Sequence, residues 1–372
     1  MVFMRAGSPR HSPMFQKPAP IPVIAIAGSL LAVLLVFLVL EISLRIVRAC
    51  NPAFPVIPDT TYLQYRGRPG ADEFNGFRLN SRGFKDTEFA EKKPGRFRIL
   101  SLGDSQTYGA VPYGDSYMAL VEKRLLISCP RCEILNMGVP SAGPVDYLSA
   151  LLNEGLDLSP DMVLVNFNLY DDFKNGGRRF TLYSFSAAAS FINYLISGIF
   201  EPEGRVFGSG TYREGIPLRS DDSYLHLVLD AHSGIFQKNN ASFDRDFRSS
   251  FGYVERIKKI CDNKSISLAL VIIPADLQLY PQLQYRARAA QDRIEDDYDY
   301  RIPNRRLARE LQRLGIPHLD LLDFFLMKQA DSGKGFTQGN DPHWNRHGSM
   351  VAAEAVSSWL IRLAGRRKGL LD

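Results

Sequence analysis

The chain has 372 residues, of which 45% are hydrophobic and 23% are charged, and its formal net charge is +5 at pH 7. This length fits one large domain or one domain with extra segments, and the apolar content is sufficient for a hydrophobic core. The positive excess is thinly spread except at residues 366–368, near the C-terminus, which argues against a protein that binds nucleic acid.

The N-terminal residues predict a membrane anchor. Residues 1–20 are polar and read as a disordered cytoplasmic tail. Residues 21–41 follow as the anchor, because about 20 uncharged apolar residues at ~1.5 Å rise cross a hydrocarbon core of ~30 Å. The alternative is a cleaved signal peptide, whose apolar region is usually ~7–15 residues. Basic residues on the two sides of the span favour a cytoplasmic N-terminus, which predicts a single-pass protein of the inner or plasma membrane with a periplasmic domain.

In the rest of the chain, apolar runs typical of strands alternate with apolar runs typical of helices. Residues 42–79 are predicted as a juxtamembrane linker, residues 80–365 as the folded domain and residues 366–372 as a basic tail. Short runs typical of buried strands and longer runs at helical spacing follow each other along the domain. The predicted strands are Ile99–Leu102, Glu133–Asn136, Asp161–Phe167, Ser267–Pro274 and Leu319–Leu322, and the predicted helices are Met118–Leu126, Tyr147–Leu156, Phe251–Cys261, Tyr285–Leu314 and Gly348–Leu363. Such alternation predicts a three-layer α/β/α sandwich with a parallel sheet.

An insertion interrupts this pattern at about residues 174–250, which are rich in glycine, serine and aromatic residues and lack a steady period. Its apolar part, Ser184–Phe200, contains several serines, so we expect a cap helix or insertion rather than a second membrane span.

Cys129 and Cys132 form a Cys-x-x-Cys on a connection between a helix and a strand. The pair is either a small local disulfide, if the domain lies outside the cytoplasm, or two free thiols.

The first candidate site lies at the end of the first predicted strand, in Gly103-Asp104-Ser105. In an open α/β sheet, chemistry is usually found beyond the carboxyl ends of the strands. A serine that begins a helix there has an exposed hydroxyl and backbone N–H groups that favour a developing anion. From these residues alone, Ser105 is either a nucleophile or a simple helix cap.

The second candidate site is the loop before the last predicted helix, where Asp341 and His343 are two residues apart. On an extended loop this spacing can place the carboxylate against imidazole Nδ1 and leave Nε2 to accept a proton from a serine. A zinc site is the competing interpretation, since His343 and His347 are four apart. No Glu follows His343, and Gly348 indicates that the helix begins only after these residues, so we predict neither a metal nor a cofactor.

The segment GDSQTYG at residues 103–109 resembles the first motif block of the SGNH (GDSL) hydrolase superfamily, and the Asp-x-His at 341–343 resembles its last block. The resemblance covers roughly residues 80–363 and is strongest to membrane-anchored bacterial members. It implies a flavodoxin-like fold, with Ser105 as nucleophile, His343 as base and Asp341 as its orienting partner. The Asp-Pro-His-Trp loop is also similar to that of O-acetyltransferases that modify exopolysaccharides.

The resemblance also implies an oxyanion hole, in which Gly138 matches the family's glycine donor after the second strand. The family's asparagine donor after the third strand aligns with Asp171, and an ionised carboxylate only accepts hydrogen bonds. Either Asp171 is protonated or Asn168 takes its place, and we expect only one of the two to point toward Ser105, with Asp171 favoured.

Three functions remain open from the sequence. The first is an esterase that hydrolyses O-acyl esters of envelope carbohydrate or lipid. The second is an O-acyltransferase acting on an extracellular polysaccharide with the same three residues. The third is a non-catalytic glycan-binding protein on the same fold, which only Asp171 supports. The sequence does not determine the oligomeric state.

Overall fold

The computed structural model describes most of the chain, namely residues 23–50, 70, 76–175, 186–189, 191–192 and 212–365. The predicted N-terminal tail, the part of the linker at 51–69, most of the apolar segment at 184–200 and the predicted basic tail lie outside the described residues.

A five-stranded parallel sheet forms the centre of the domain, and its strand order is β2-β1-β3-β4-β5. The strands are β1 (Phe97–Gly103), β2 (Cys132–Gly138), β3 (Met162–Asn168), β4 (Ser267–Ile273) and β5 (His318–Asp320). This is the order of flavodoxin-like sheets, in which the chain leaves β1 toward one edge and later builds from β3 toward the other. The carboxyl ends of β1 and β3 therefore flank the switch point.

The helices follow the chain order that a doubly wound sheet requires. They are α1 (Val23–Cys50), α2 (Ser105–Tyr108), α3 (Tyr117–Ser128), α4 (Pro144–Ala150), α5 (Asp172–Asn175), α6 (Asp221–His232), α7 (Ala241–Asn263), α8 (Asp276–Leu279), α9 (Pro281–Ala290), α10 (Ile302–Arg313), α11 (Leu322–Ser332) and α12 (Arg346–Gly365).

Two apolar cores lie on the two faces of the sheet. Successive strand side chains point to opposite faces, so Leu100 and Leu102 belong to one core and Ile99 to the other. The first core packs against α4, α7 and α10, and the second against α3, α11 and α12. The predicted three-layer α/β/α sandwich with a parallel sheet is confirmed.

Several predicted helix boundaries were wrong. The helix expected from Phe251 begins at Ala241, where the Asn240 side chain caps the N–H groups of Ser242 and Phe243. The first turns of α7 therefore fall inside the predicted insertion, which also contains α6. The long helical region predicted from Tyr285 to Leu314 is two helices, α9 and α10, with a break marked by the positive φ of Asp292.

The N-terminal helix α1 contains a segment, Ala27–Val47, that is long and apolar enough to cross a membrane. The helix continues to Cys50, into residues predicted as linker. In the C-terminal half of α1, the Glu41 carboxylate accepts hydrogen bonds from the Ser186 hydroxyl and the Ala188 N–H, both at 2.8 Å. The insertion therefore contacts this half of the helix.

The Cys-x-x-Cys forms a disulfide between Cys129 and Cys132, on the connection from α3 to β2. Both cysteines are buried in the second core. Of the two alternatives that the sequence left open, the structure has the local disulfide.

Candidate active site

Close backbone packing shapes the turn between β1 and α2, which carries Ser105. A Cβ atom on Gly103 would lie 1.9 Å from Thr107 Oγ1, and one on Gly138 would lie 2.4 Å from the Tyr108 nitrogen. Glycine at both positions therefore lets the first turn of α2 sit directly on the ends of β1 and β2. The buried Asp104 caps this turn by accepting the Gln106 N–H at 3.0 Å.

The structure brings Ser105, His343 and Asp341 into one hydrogen-bonded row. His343 Nε2 lies 2.8 Å from Ser105 Oγ. His343 Nδ1 hydrogen-bonds Asp341 Oδ1, and the same oxygen accepts the His343 backbone N–H at 3.0 Å. A base within reach of a hydroxyl, and an acid that orients the base, is the arrangement that activates a serine nucleophile.

Arg219 extends this row at its far end, and sequence analysis did not predict it. Its guanidinium forms an ion pair with Asp341 Oδ2, and the two side chains are only 11% and 2% exposed. Burial alone would raise the pKa of Asp341, but the interactions with His343 and the charge of Arg219 outweigh it and hold that pKa below its ordinary value. Asp341 is therefore a carboxylate shared between a histidine and an arginine.

Gln106 is a second residue that the sequence analysis missed. Its buried amide donates to the Pro342 carbonyl at 2.7 Å, and its carbonyl accepts the Trp344 N–H at 3.2 Å. These two bonds bracket His343, so the residue next to Ser105 holds the loop that carries the base. A polar residue immediately after the serine was the available signal.

Trp344, the tryptophan of the Asp-Pro-His-Trp loop, has a packing role. It is buried in the second core, edge-on to Tyr117 and stacked on Phe325. The indole anchors the loop in the core, so its presence is explained by packing alone.

A cluster of buried carboxyl groups lies behind Ser105. Asn168 Nδ2 donates to Asp104 Oδ2 at 2.7 Å, and the Asp171 side chain lies beside the same carboxyl group. Asp172 accepts the Tyr147 hydroxyl and the Asn168 N–H, both at 2.8 Å.

Burial raises the pKa of Asp104, and burial together with the neighbouring charges raises that of Asp172 well above its ordinary value. Both buried carboxyl groups therefore take up a proton more readily than an exposed aspartate does.

The three residues predicted to line the oxyanion hole are Asn168, Asp171 and Gly138, and the side chain or N–H group of each lies against another residue of the chain. Asn168 and Asp171 both converge on Asp104, the residue before Ser105, which the sequence did not lead us to expect. Asn168 uses one of its two amide N–H bonds there. The Gly138 N–H donates to Asn136 Oδ1 at 3.0 Å, so it is satisfied within the chain. Ser105 is the first residue of α2, and the first N–H groups of a helix have no partner inside it.

The fold and the row of Ser105, His343 and Asp341 are those that the resemblance to the SGNH (GDSL) hydrolases predicts. No protein-family model and no curated protein matches the chain.

Solved structures similar to it include an acetyl xylan esterase, 14% identical over 71% of this chain and 100% of that one, with a TM-score of 0.40. A two-domain esterase active on acetylated mannans is 13% identical over 72% of this chain and 50% of that one, with a TM-score of 0.38. A GDSL-like lipase from Bacteroides thetaiotaomicron is 12% identical over 74% of this chain and 92% of that one, with a TM-score of 0.36. At such low similarity, the chemistry of this chain is inferred from its own residues.

Proposed function

We propose that the protein is a serine esterase that hydrolyses O-acyl esters. The observation that carries this proposal is the 2.8 Å contact between Ser105 Oγ and His343 Nε2, together with the bond from His343 Nδ1 to Asp341. Ser105 Oγ attacks the ester carbonyl carbon, and its proton passes to His343 Nε2. His343 then returns this proton to the leaving alcohol, and a water molecule activated by the same imidazole releases the acid.

The oxyanion formed in these steps needs donors close to Ser105. We assign this role to the Ser105 N–H and to the second amide N–H of Asn168. Asp171, which lies beside Asp104, would add a donor when its carboxyl group is protonated. Gly138 would contribute only after leaving its bond to Asn136 Oδ1. Each preorganised donor of this kind is worth about 10²–10³ in turnover.

The substrate we propose is an acyl ester of envelope carbohydrate or lipid, met on the outer side of the inner membrane. Two observations support this location: the apolar segment Ala27–Val47 can serve as an anchor, and disulfides such as Cys129–Cys132 persist in oxidising compartments. Few charges flank the anchor, and they favour a cytoplasmic N-terminus.

Hydrolysis of a small aryl ester by the full chain in detergent tests this proposal. We expect serine-dependent release of the phenol and its loss in Ser105→Ala. Equal activity in Ser105→Ala would overturn the assignment.

Incubation with polysaccharide, followed by mass spectrometry, separates the esterase from the acyltransferase, because a transferase would add acyl groups to the polysaccharide rather than release free acid.

A further inference from the structure

The insertion reaches the candidate active site through a short segment, residues 216–221, which we call the strap. The Leu218 N–H donates to the Gly339 carbonyl at 2.9 Å. Asn340 Nδ2 donates to the Arg219 carbonyl at 2.9 Å and to Asp221 Oδ1 at 2.7 Å. The strap is thus bonded to the two residues that directly precede Asp341.

The close fit between strap and loop extends to their backbones. A Cβ on Gly339 would lie 2.9 Å from Pro217 Cα, so only glycine allows this approach. The Arg219 side chain then enters a largely buried position and pairs with Asp341 Oδ2, the oxygen that His343 Nδ1 does not use. The strap therefore places the Arg219 guanidinium against Asp341, on the side of the carboxylate that faces away from His343.

We propose that Arg219 is a positioning residue, which fixes the rotation of the Asp341 carboxylate and places a positive charge behind the acid that orients His343. This inference rests on the proposed function, since it concerns the base of the same site. With Oδ2 held by Arg219, Oδ1 faces Nδ1 and also accepts the His343 N–H. The positive charge behind the carboxylate opposes the formation of a second positive charge on the imidazole.

The charged and titratable groups around the imidazole come from five parts of the fold. Asp341 lies on its own loop, Ser105 on α2, Asp104 at the end of β1 and Arg219 on the strap. After β3, Tyr170 faces Asp341 and Arg219 as a neutral phenol, because burial raises its pKa well above the ordinary value. Arg219 is the cation of this set, so its removal leaves the Asp341 carboxylate beside the imidazole without an opposing positive charge.

The sign of the effect follows directly. Replacement of Arg219 removes a nearby positive charge, so we expect protonated His343 to be favoured in the variant by on the order of one pH unit. The acid limb of kcat/KM must then move to higher pH by the same amount, because the base works only when neutral. A purely structural role would lower activity equally at all pH values.

Titration of His343 by NMR tests this inference in the full chain with 15N-labelled histidines, in the Ser105→Ala background. The His343 signal is identified by its loss in His343→Gln. We expect Arg219→Gln to raise the His343 pKa and Arg219→Lys to restore it toward the parental value. Arg213→Gln is the matched control, an exposed arginine of the same insertion, and should leave the His343 pKa unchanged.

An unchanged His343 pKa in Arg219→Gln would overturn the inference. If that variant does not fold, Asn340→Ala loosens the strap without removing the charge, and it should raise the His343 pKa by a smaller amount. No rise there overturns the inference equally. The titration needs no hydrolysis, so failure of the proposed esterase activity would appear separately, as inactivity of the parent with intact His343 titration.

Discussion

Replacement of Gln106 tests whether the loop that carries His343 is held in place by the residue beside Ser105. Gln106→Leu keeps an approximately similar shape but removes the bonds to the Pro342 carbonyl and the Trp344 N–H, at 2.7 Å and 3.2 Å. Both of these backbone groups belong to buried residues. Leaving a buried polar group unsatisfied costs about 1–3 kcal/mol, so for these two groups we expect the free energy of unfolding to fall by roughly 2–6 kcal/mol.

The catalytic effect of Gln106→Leu should be separable from this loss of stability. A displacement of about 1 Å between reacting groups can cost on the order of 10²-fold in rate. Because the loop can relax away from Ser105, we expect kcat/KM for an aryl ester to fall by about 10–100-fold, with the loss in kcat rather than KM. Urea denaturation monitored by circular dichroism gives the stability, and initial rates below the unfolding transition give the kinetics.

Gln278→Leu is the matched control for this experiment. Gln278 is also buried, and its amide donates to the Tyr300 carbonyl and to Asn304 Oδ1, both at 2.6 Å. Its replacement should lower stability by a comparable amount while kcat/KM per folded molecule stays at the parental value. The reasoning about Gln106 is refuted if Gln106→Leu keeps parental kcat/KM, or if both variants lose activity to the same extent.

Two further predictions concern Asp171 and the disulfide. Asp171 can donate to an oxyanion only while its carboxyl group holds a proton, so activity should fall as that proton is lost at higher pH. Asp171→Asn, a permanent donor, should raise the rate and extend the pH–rate profile of ester hydrolysis to higher pH; a variant slower than the parent at every pH would refute this. The disulfide closes a very short loop, so Cys129→Ser with Cys132→Ser should lower the free energy of unfolding in urea by only about 2 kcal/mol, with activity unchanged. A loss of activity without unfolding would contradict that assignment.

Much of the fold was predictable because strand signals in a doubly wound sheet are local. Buried runs such as 161–167 and 267–274 stand out by apolar and β-branched content, and observed β3 and β4 match them to within one residue at each end. The start of α7 was missed although Phe243, Phe247 and Phe251 recur at helical spacing. Charged residues between them obscured the apolar face, and the Asn240 cap was overlooked.

The candidate site also contains residues that the sequence predicts and residues that it does not. Ser105, His343 and Asp341 could be predicted because each lies in a short motif with its own chemical pattern. Arg219 could not, because it pairs with Asp341 across 122 residues of sequence and lies in an insertion without a steady period. The convergence of Asn168 and Asp171 on Asp104 was also out of reach, since it depends on how the chain turns after β3.

The most direct test of the account is covalent labelling of Ser105 in the full chain with a fluorophosphonate, followed by peptide mass spectrometry. A serine activated by His343 should give one adduct, on the peptide that contains Ser105, and the labelling rate should fall steeply in His343→Ala. Absence of the adduct in the folded parent, or labelling of Ser105 at the same rate in His343→Ala, would contradict the claim that Ser105 is a nucleophile activated by His343.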